Sequence, residues 1–213
     1  MSNSARIAII DYNMGNLFNL HKVITYLGGD VEFCSDPEKL KKADKAFLPG
    51  VGAFENGITS LKKNGMDKAI RDFIESGKPL FGICLGMQLL MDESEEGGIF
   101  QGLGIVPGRV VRFSSAENYF KIPHIGWNSL NLPSNKLSWL NTIFADIHPQ
   151  DYVYFVHSFI VCPVDNNIIL TKTQYGLQDF CSSFMKDNIY GCQFHPEISG
   201  PIGLRILRNF LNK

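Results

Sequence analysis

A cysteine lies between two glycines in Gly82-Ile83-Cys84-Leu85-Gly86, where an apolar run of strand character gives way to a helical one. Small residues two before and two after remove the Cβ atoms that would collide in a sharp strand-to-helix turn. That is how a nucleophile is lifted clear of a sheet. At the start of a helix the thiol would also face the partial positive charge of unpaired N–H groups, which favours the thiolate. A lone buried cysteine is more often a small core hydrophobe, so this segment alone leaves both readings open. Far downstream stands Gln193-Phe194-His195-Pro196-Glu197. A residue before proline is pushed to extended backbone, and side chains two apart in extended chain share a face with Cβ atoms about 7 Å apart. The spacing predicts that the Glu197 carboxylate holds one imidazole nitrogen of His195 while the other faces Cys84. Nucleophile, base and orienter are what acyl transfer needs. The Leu85 N–H and the turn Gly50-Val51-Gly52, with Val51 as a donor, would supply an oxyanion hole. His157-Ser158, after the apolar run 152–156, suits substrate contact through the backbone, or else is a turn satisfying its own polar groups.

These residues need a scaffold that brings strand ends together. Residues 7–10 form a short apolar run ending in a turn at 11–15, and Leu17, Leu20, Ile24 and Leu27 then recur at helical spacing until Gly28-Gly29. Residues 31–34 and 46–48 read as strands, Ile70, Phe73 and Ile74 as one face of a helix, 79–84 as a fourth strand and 85–91 as a helix. Strand and helix alternation with continuous apolar strands predicts an α/β fold with a mostly parallel sheet covered on both faces. Both site segments then fall at strand C-termini. Beyond Gly104 the pattern shifts to β-rich pieces at 110–113, 127–132, 152–160, 168–173 and 189–194, expected to extend the sheet with antiparallel strands. Leu204, Leu207, Phe210 and Leu211 predict a terminal helix. The 213 residues suit one domain spanning 1–213.

Composition narrows the function. A formal charge of −1 gives no global attraction to nucleic acid or anionic lipid. The longest uncharged apolar stretch, 79–91, falls short of the ~20 residues of a membrane-spanning helix. The N-terminus lacks the hydrophobic core of a signal peptide, and five widely spaced cysteines offer no metal-ligand pair. The expectation is a cytoplasmic protein with reduced thiols, no metal and no cofactor. Gly102-x-Gly104 does not continue into a nucleotide-binding glycine pattern.

Gly82-Ile83-Cys84-Leu85-Gly86-Met87-Gln88 together with Gln193-Phe194-His195-Pro196-Glu197 resembles the class I, triad-type glutamine amidotransferases. Asp11-Tyr12, Gly15-Asn16, Leu48-Pro49-Gly50-Val51-Gly52-Ala53-Phe54, Ser94-Glu95-Glu96-Gly97, Pro107-Gly108-Arg109-Val110-Val111, Pro123-His124-x-Gly126-Trp127-Asn128 and Tyr154-Phe155-Val156-His157-Ser158 extend the resemblance to the glutaminase subunits of imidazole glycerol phosphate synthase. The resemblance implies a flavodoxin-like fold and hydrolysis of glutamine through a thioester. It also implies ammonia delivery to a (βα)8 cyclase subunit in a heterodimer. By matching position Cys84 would be the nucleophile, His195 the base and acid, and Glu197 its orienter. Gly52, Gln88, His157 and Ser158 would hold glutamine, and the turn at 49–52 would be a switchable oxyanion loop. Tyr12, Asn13, Asn16, Lys121 and Trp127 would face the cyclase and the ammonia passage, although Tyr12 and Trp127 also fit ordinary aromatic packing. Asn13 stands where the pattern has a glycine, Cys192 where it has Val and Ile198 where it has Lys. Asn13 and Ile198 bear on the acceptor, so a paralogue serving another synthase, such as one adding an amidino group to a sugar, is the second reading. A stand-alone cysteine hydrolase and a non-enzymatic subunit are further alternatives; Gln88 and the oxyanion turn argue against the first.

Overall fold

The computed structural model describes residues 5–113, 120–136 and 138–213. In chain order the elements are β1 (Arg6–Ile10), α1 (Leu17–Tyr26), β2 (Asp30–Cys34), α2 (Pro37–Leu40), β3 (Lys45–Gly50), α3 (Phe54–Lys63), α4 (Met66–Glu75), β4 (Leu80–Cys84) and α5 (Leu85–Leu89). A short pair follows, β5 (Glu93–Ser94) and β6 (Phe100–Gln101). The rest comprises β7 (Gly108–Arg112), β8 (His124–Ser129), β9 (Tyr152–His157), β10 (Phe159–Pro163), β11 (Ile169–Tyr175), β12 (Gln178–Lys186), β13 (Ile189–Cys192) and α6 (Gly200–Leu211).

Among the described residues one large sheet runs in the order β2-β1-β3-β4-β13-β12-β10-β7-β5-β6, with β11 bonded to β12. β2, β1, β3, β4 and β13 are parallel, and β12, β10 and β7 continue antiparallel. This is the α/β fold expected. Side chains alternate across each central strand. Ala8, Ile10, Ala46, Leu48 and Leu80 pack with α3, α4 and α5 on one face. Ile7, Ile9, Phe47, Phe81 and Ile83 pack with α1 and α6 on the other. Phe210 of α6 seats its ring 4.9 Å from Phe47 and 5.2 Å from Phe81. Lys45 Nζ donates to the Leu211 carbonyl at 2.7 Å, closing the end of that helix.

Several expectations shift. The run 152–160 is two strands: β9 leaves the large sheet to pair with β8 as a separate ribbon, and β10 rejoins it after Ser158. The strand placed at 127–132 runs from His124 to Ser129. Helix α3 and strand β12 were not anticipated, and the helix read at 85–91 ends at Leu89.

Candidate active site

Cys84 ends β4 at φ 53° and ψ −111°, a strained conformation for a residue with a Cβ. The packing around it explains the glycines. A Cβ on Gly82 would meet Met87 N at 2.9 Å, and one on Gly86 would run into the Leu48 carbonyl. Helix and strand therefore approach closely only because both positions are bare. Register sets Cys84 beside Gly50 of β3 and Ile83 beside Cys192 of β13. α5 has only five residues, so its dipole contributes little and the electrostatics rest on the neighbouring side chains.

His195 follows β13 in extended backbone, φ −101° and ψ 94°. Glu197 is not extended, contrary to the sequence reading. Pro196 opens a 3-10 turn over Pro196–Ile198 because its fixed φ suits a first helical position. The turn still brings His195 Nδ1 to 2.8 Å from Glu197 Oε1. Both side chains are nearly buried, so the pair is little screened. The His195 backbone is pinned as well: its N–H donates to the Tyr154 carbonyl, and the Ser199 hydroxyl donates to its carbonyl. Burial disfavours the charged imidazole, but hydrogen bonding and charge from Cys84 and Glu197 outweigh it and raise the pKa to about 10. With Nδ1 taken by Glu197, only Nε2 is left for the thiol. Nε2 has no hydrogen bond of regular geometry, a slackness common at catalytic contacts that tighten around substrate.

Cys84, Leu85, Val51, Gly52, Gln88, His157 and Ser158 all line one cavity of 310 Å³, together with Glu96, Pro123, Val156 and Phe159. Every residue assigned to the oxyanion hole or to glutamine thus borders one space. A second cavity of 190 Å³ lies across Val51 and Val156 from the first, lined also by Asn16, Asn19, Ile83, His195, Glu197 and Ile198. Of the residues assigned to the partner face, Asn16 lines this second cavity and Trp127 is 54% exposed, its ring reaching toward Gly200 beside the 196–198 turn. Asn13 and Lys121 are exposed outside both cavities. Asn13 has φ 64°, the left-handed conformation that glycine favours and asparagine tolerates. Tyr12 does not face outward. Its side chain is wholly buried, with the hydroxyl wedged over Gly50 and without a hydrogen-bond partner among the described residues.

A family model for glutamine amidotransferase class-I matches residues 8–213. The chain belongs to the class I glutamine amidotransferases. This amidotransferase is 45% identical over 204 residues to the imidazole glycerol phosphate synthase subunit HisH of Caldanaerobacter subterraneus subsp. tengcongensis, covering 96% of each chain. It is also 45% identical over 207 residues to subunit HisH of Archaeoglobus fulgidus, covering 97% of this chain and 98% of the relative. Among solved structures, PurLQS from Thermotoga maritima superposes with a TM-score of 0.75 at 18% identity over 98% of both chains, a likeness of fold.

Within the amidotransferase site, sequence reasoning passed over Gln193. Its side chain is wholly buried, donates from Nε2 to Cys84 Sγ at 3.6 Å and accepts from Gln88 Nε2 at 3.0 Å. Gln88 also donates to the Phe159 carbonyl at 3.1 Å. A polar residue two before His195 on a buried strand was the available signal. Glu96 was also missed; its carboxylate caps α3 through Phe54 N–H at 2.8 Å and faces the cavity. No helix among the described residues is long and apolar enough to cross a membrane.

Proposed function

We propose that this chain is a glutaminase that feeds ammonia to a cyclase of (βα)8 fold forming imidazole glycerol phosphate, as expected of a relative of HisH subunits. The observation that carries the reading is Cys84 on a cavity wall beside a buried His195–Glu197 pair. His195 Nε2 takes the Cys84 thiol proton as Sγ attacks the side-chain carbonyl carbon of glutamine. The N–H groups of Leu85 and Val51 stabilise the oxyanion, and His195 Nε2 gives its proton to the departing nitrogen, which leaves as ammonia. His195 then draws a proton from water, whose oxygen attacks the thioester, and glutamate leaves as the thiol is restored. The balance is glutamine plus water to glutamate plus ammonia. Gln88, Gly52, His157 and Ser158 hold the substrate, and the anionic Glu96 suits its ammonium group.

The second cavity supports a route for ammonia because His195 and Glu197 line it beside Asn16 and Ile198. The exposed apolar residues Phe18, Trp127 and Ile198 give this face the character of a docking surface. Tyr12 belongs to the packing beneath it. The test measures product formation by the complex from glutamine and from ammonium salts. Cys84→Ala removes glutamine use and leaves the ammonium-driven reaction intact; loss of both contradicts the division of labour. A chain that works only with a different synthase places it with the amidino-transfer paralogues.

A further inference from the structure

A hydrogen-bond chain leads from the cavity wall into the β8–β9 ribbon, and its direction is fixed by chemistry. His157 Nδ1 lies 2.9 Å from the Phe159 carbonyl, which only accepts, so Nδ1 carries the proton. Burial lowers the His157 pKa to about 3, so the ring is neutral and Nε2 is bare. That nitrogen lies 3.2 Å from His124 Nδ1, which must therefore donate. His124 is also neutral, its pKa lowered by burial to about 4, which leaves its Nε2 to accept from Asn128 Nδ2 at 3.3 Å. The Asn128 amide closes the chain consistently. Nδ2 also donates to the Gln174 carbonyl at 2.9 Å, and Oδ1 accepts from Ser129 N–H at 2.8 Å. The His124 ring is stacked between Tyr175 at 3.9 Å and Phe155 at 4.8 Å, which holds its nitrogens in place.

We infer that His124 is a positioning residue: by donating to His157 Nε2 it anchors the His157 ring, in the tautomer that the Phe159 carbonyl sets, and with it the 156–159 wall of the cavity. The inference rests on the reading that this cavity takes glutamine. The Phe159 carbonyl is the shared node, because it accepts from both His157 and Gln88. With both ring nitrogens occupied, His157 cannot compete with His195 for the thiol proton. His124 thus acts on substrate binding and leaves the chemical step to His195.

His124→Phe keeps the aromatic stack and removes the donor to His157 together with the acceptor for Asn128. In the complex with its cyclase the variant raises KM for glutamine about tenfold, the scale of one buried hydrogen bond left unmade, while kcat stays within about threefold. An unchanged KM, or a fall in kcat with KM intact, overturns the inference. A second measurement needs no variant. Ring 15N shifts of His157 in the wild-type protein will show Nδ1 protonated and Nε2 bare; a proton on Nε2 overturns the inference even if His124→Phe fails to fold. If the wild-type complex does not hydrolyse glutamine, the functional reading fails, and the 15N shifts still decide how His124 holds His157.

Discussion

Two buried histidines flank Cys84 and are held in opposite charge states. His195 sits on the turn after β13 with a carboxylate on Nδ1, and its pKa is raised to about 10. His157 ends β9 with a carbonyl on Nδ1 and a second neutral imidazole on Nε2, and its pKa is lowered to about 3. Both are desolvated, so burial alone does not separate them. What differs is the partners: Cys84 and Glu197 stabilise the imidazolium of His195, whereas the Phe159 carbonyl offsets only part of the desolvation of His157 and the neighbouring His124 and His195 add to it. On the proposed function, this makes His195 an acid and base and His157 a post.

The comparison breaks most visibly at His195. His195→Gln should lower glutaminase kcat by about 10⁵, as loss of the base does in triads of this kind, with KM nearly unchanged. Glu197→Gln should cost about 10³ to 10⁴, since a neutral amide no longer favours the imidazolium or its tautomer. Steady-state kinetics of the complex check both; similar losses from His157→Gln and His195→Gln would erase the distinction. Stability against pH offers a finer test. The raised His195 value means that its contribution is complete below its ordinary pKa of 6.5 and is lost as pH climbs toward about 10. The lowered His157 and His124 values mean the reverse: their contribution is complete above 6.5 and is lost as pH falls toward about 4 and 3. Urea midpoints across this range should decline on both sides, and His195→Gln should flatten only the alkaline side. The smallest expected effect is at Tyr12. Tyr12→Phe removes a buried hydroxyl without a partner and should leave stability unchanged or raise it by about 1 kcal/mol in urea unfolding.

The charged histidine was legible in the sequence and the neutral one only half so. Cys84, His195 and Glu197 announce themselves because the elbow glycines and the proline are local signals with local geometric meaning, even though Glu197 reaches its place through a 3-10 turn rather than extended chain. The central strands were legible for a similar reason, each being a continuous apolar run buried on both faces. β12 was hidden because its interior carries Ser182 and Ser183, both wholly buried and bonded to Thr171 at 2.8 and 2.6 Å. Hydropathy cannot see a polar pair satisfied by another strand. α3 was hidden by Gly57, a helix breaker by propensity that here lets the helix pack against Leu85 and Leu89. Tyr12 was given to the partner face by the resemblance, with aromatic packing as the alternative, and its buried side chain fills the space above Gly50. The His124–His157 chain was out of reach because register, not sequence distance, sets those two residues opposite one another.

Exposure and chemistry rank the thiols differently, and that contrast gives the most direct test. Cys162 is exposed and Cys84 is buried, so simple access would make Cys162 react first. Mass mapping of iodoacetamide alkylation at pH 7 should instead find Cys84 modified fastest, through its cavity beside the His195 cation, and slowed by Glu197→Gln. Rates that follow exposure, with Cys84 no faster than Cys162 and indifferent to Glu197, would contradict the account.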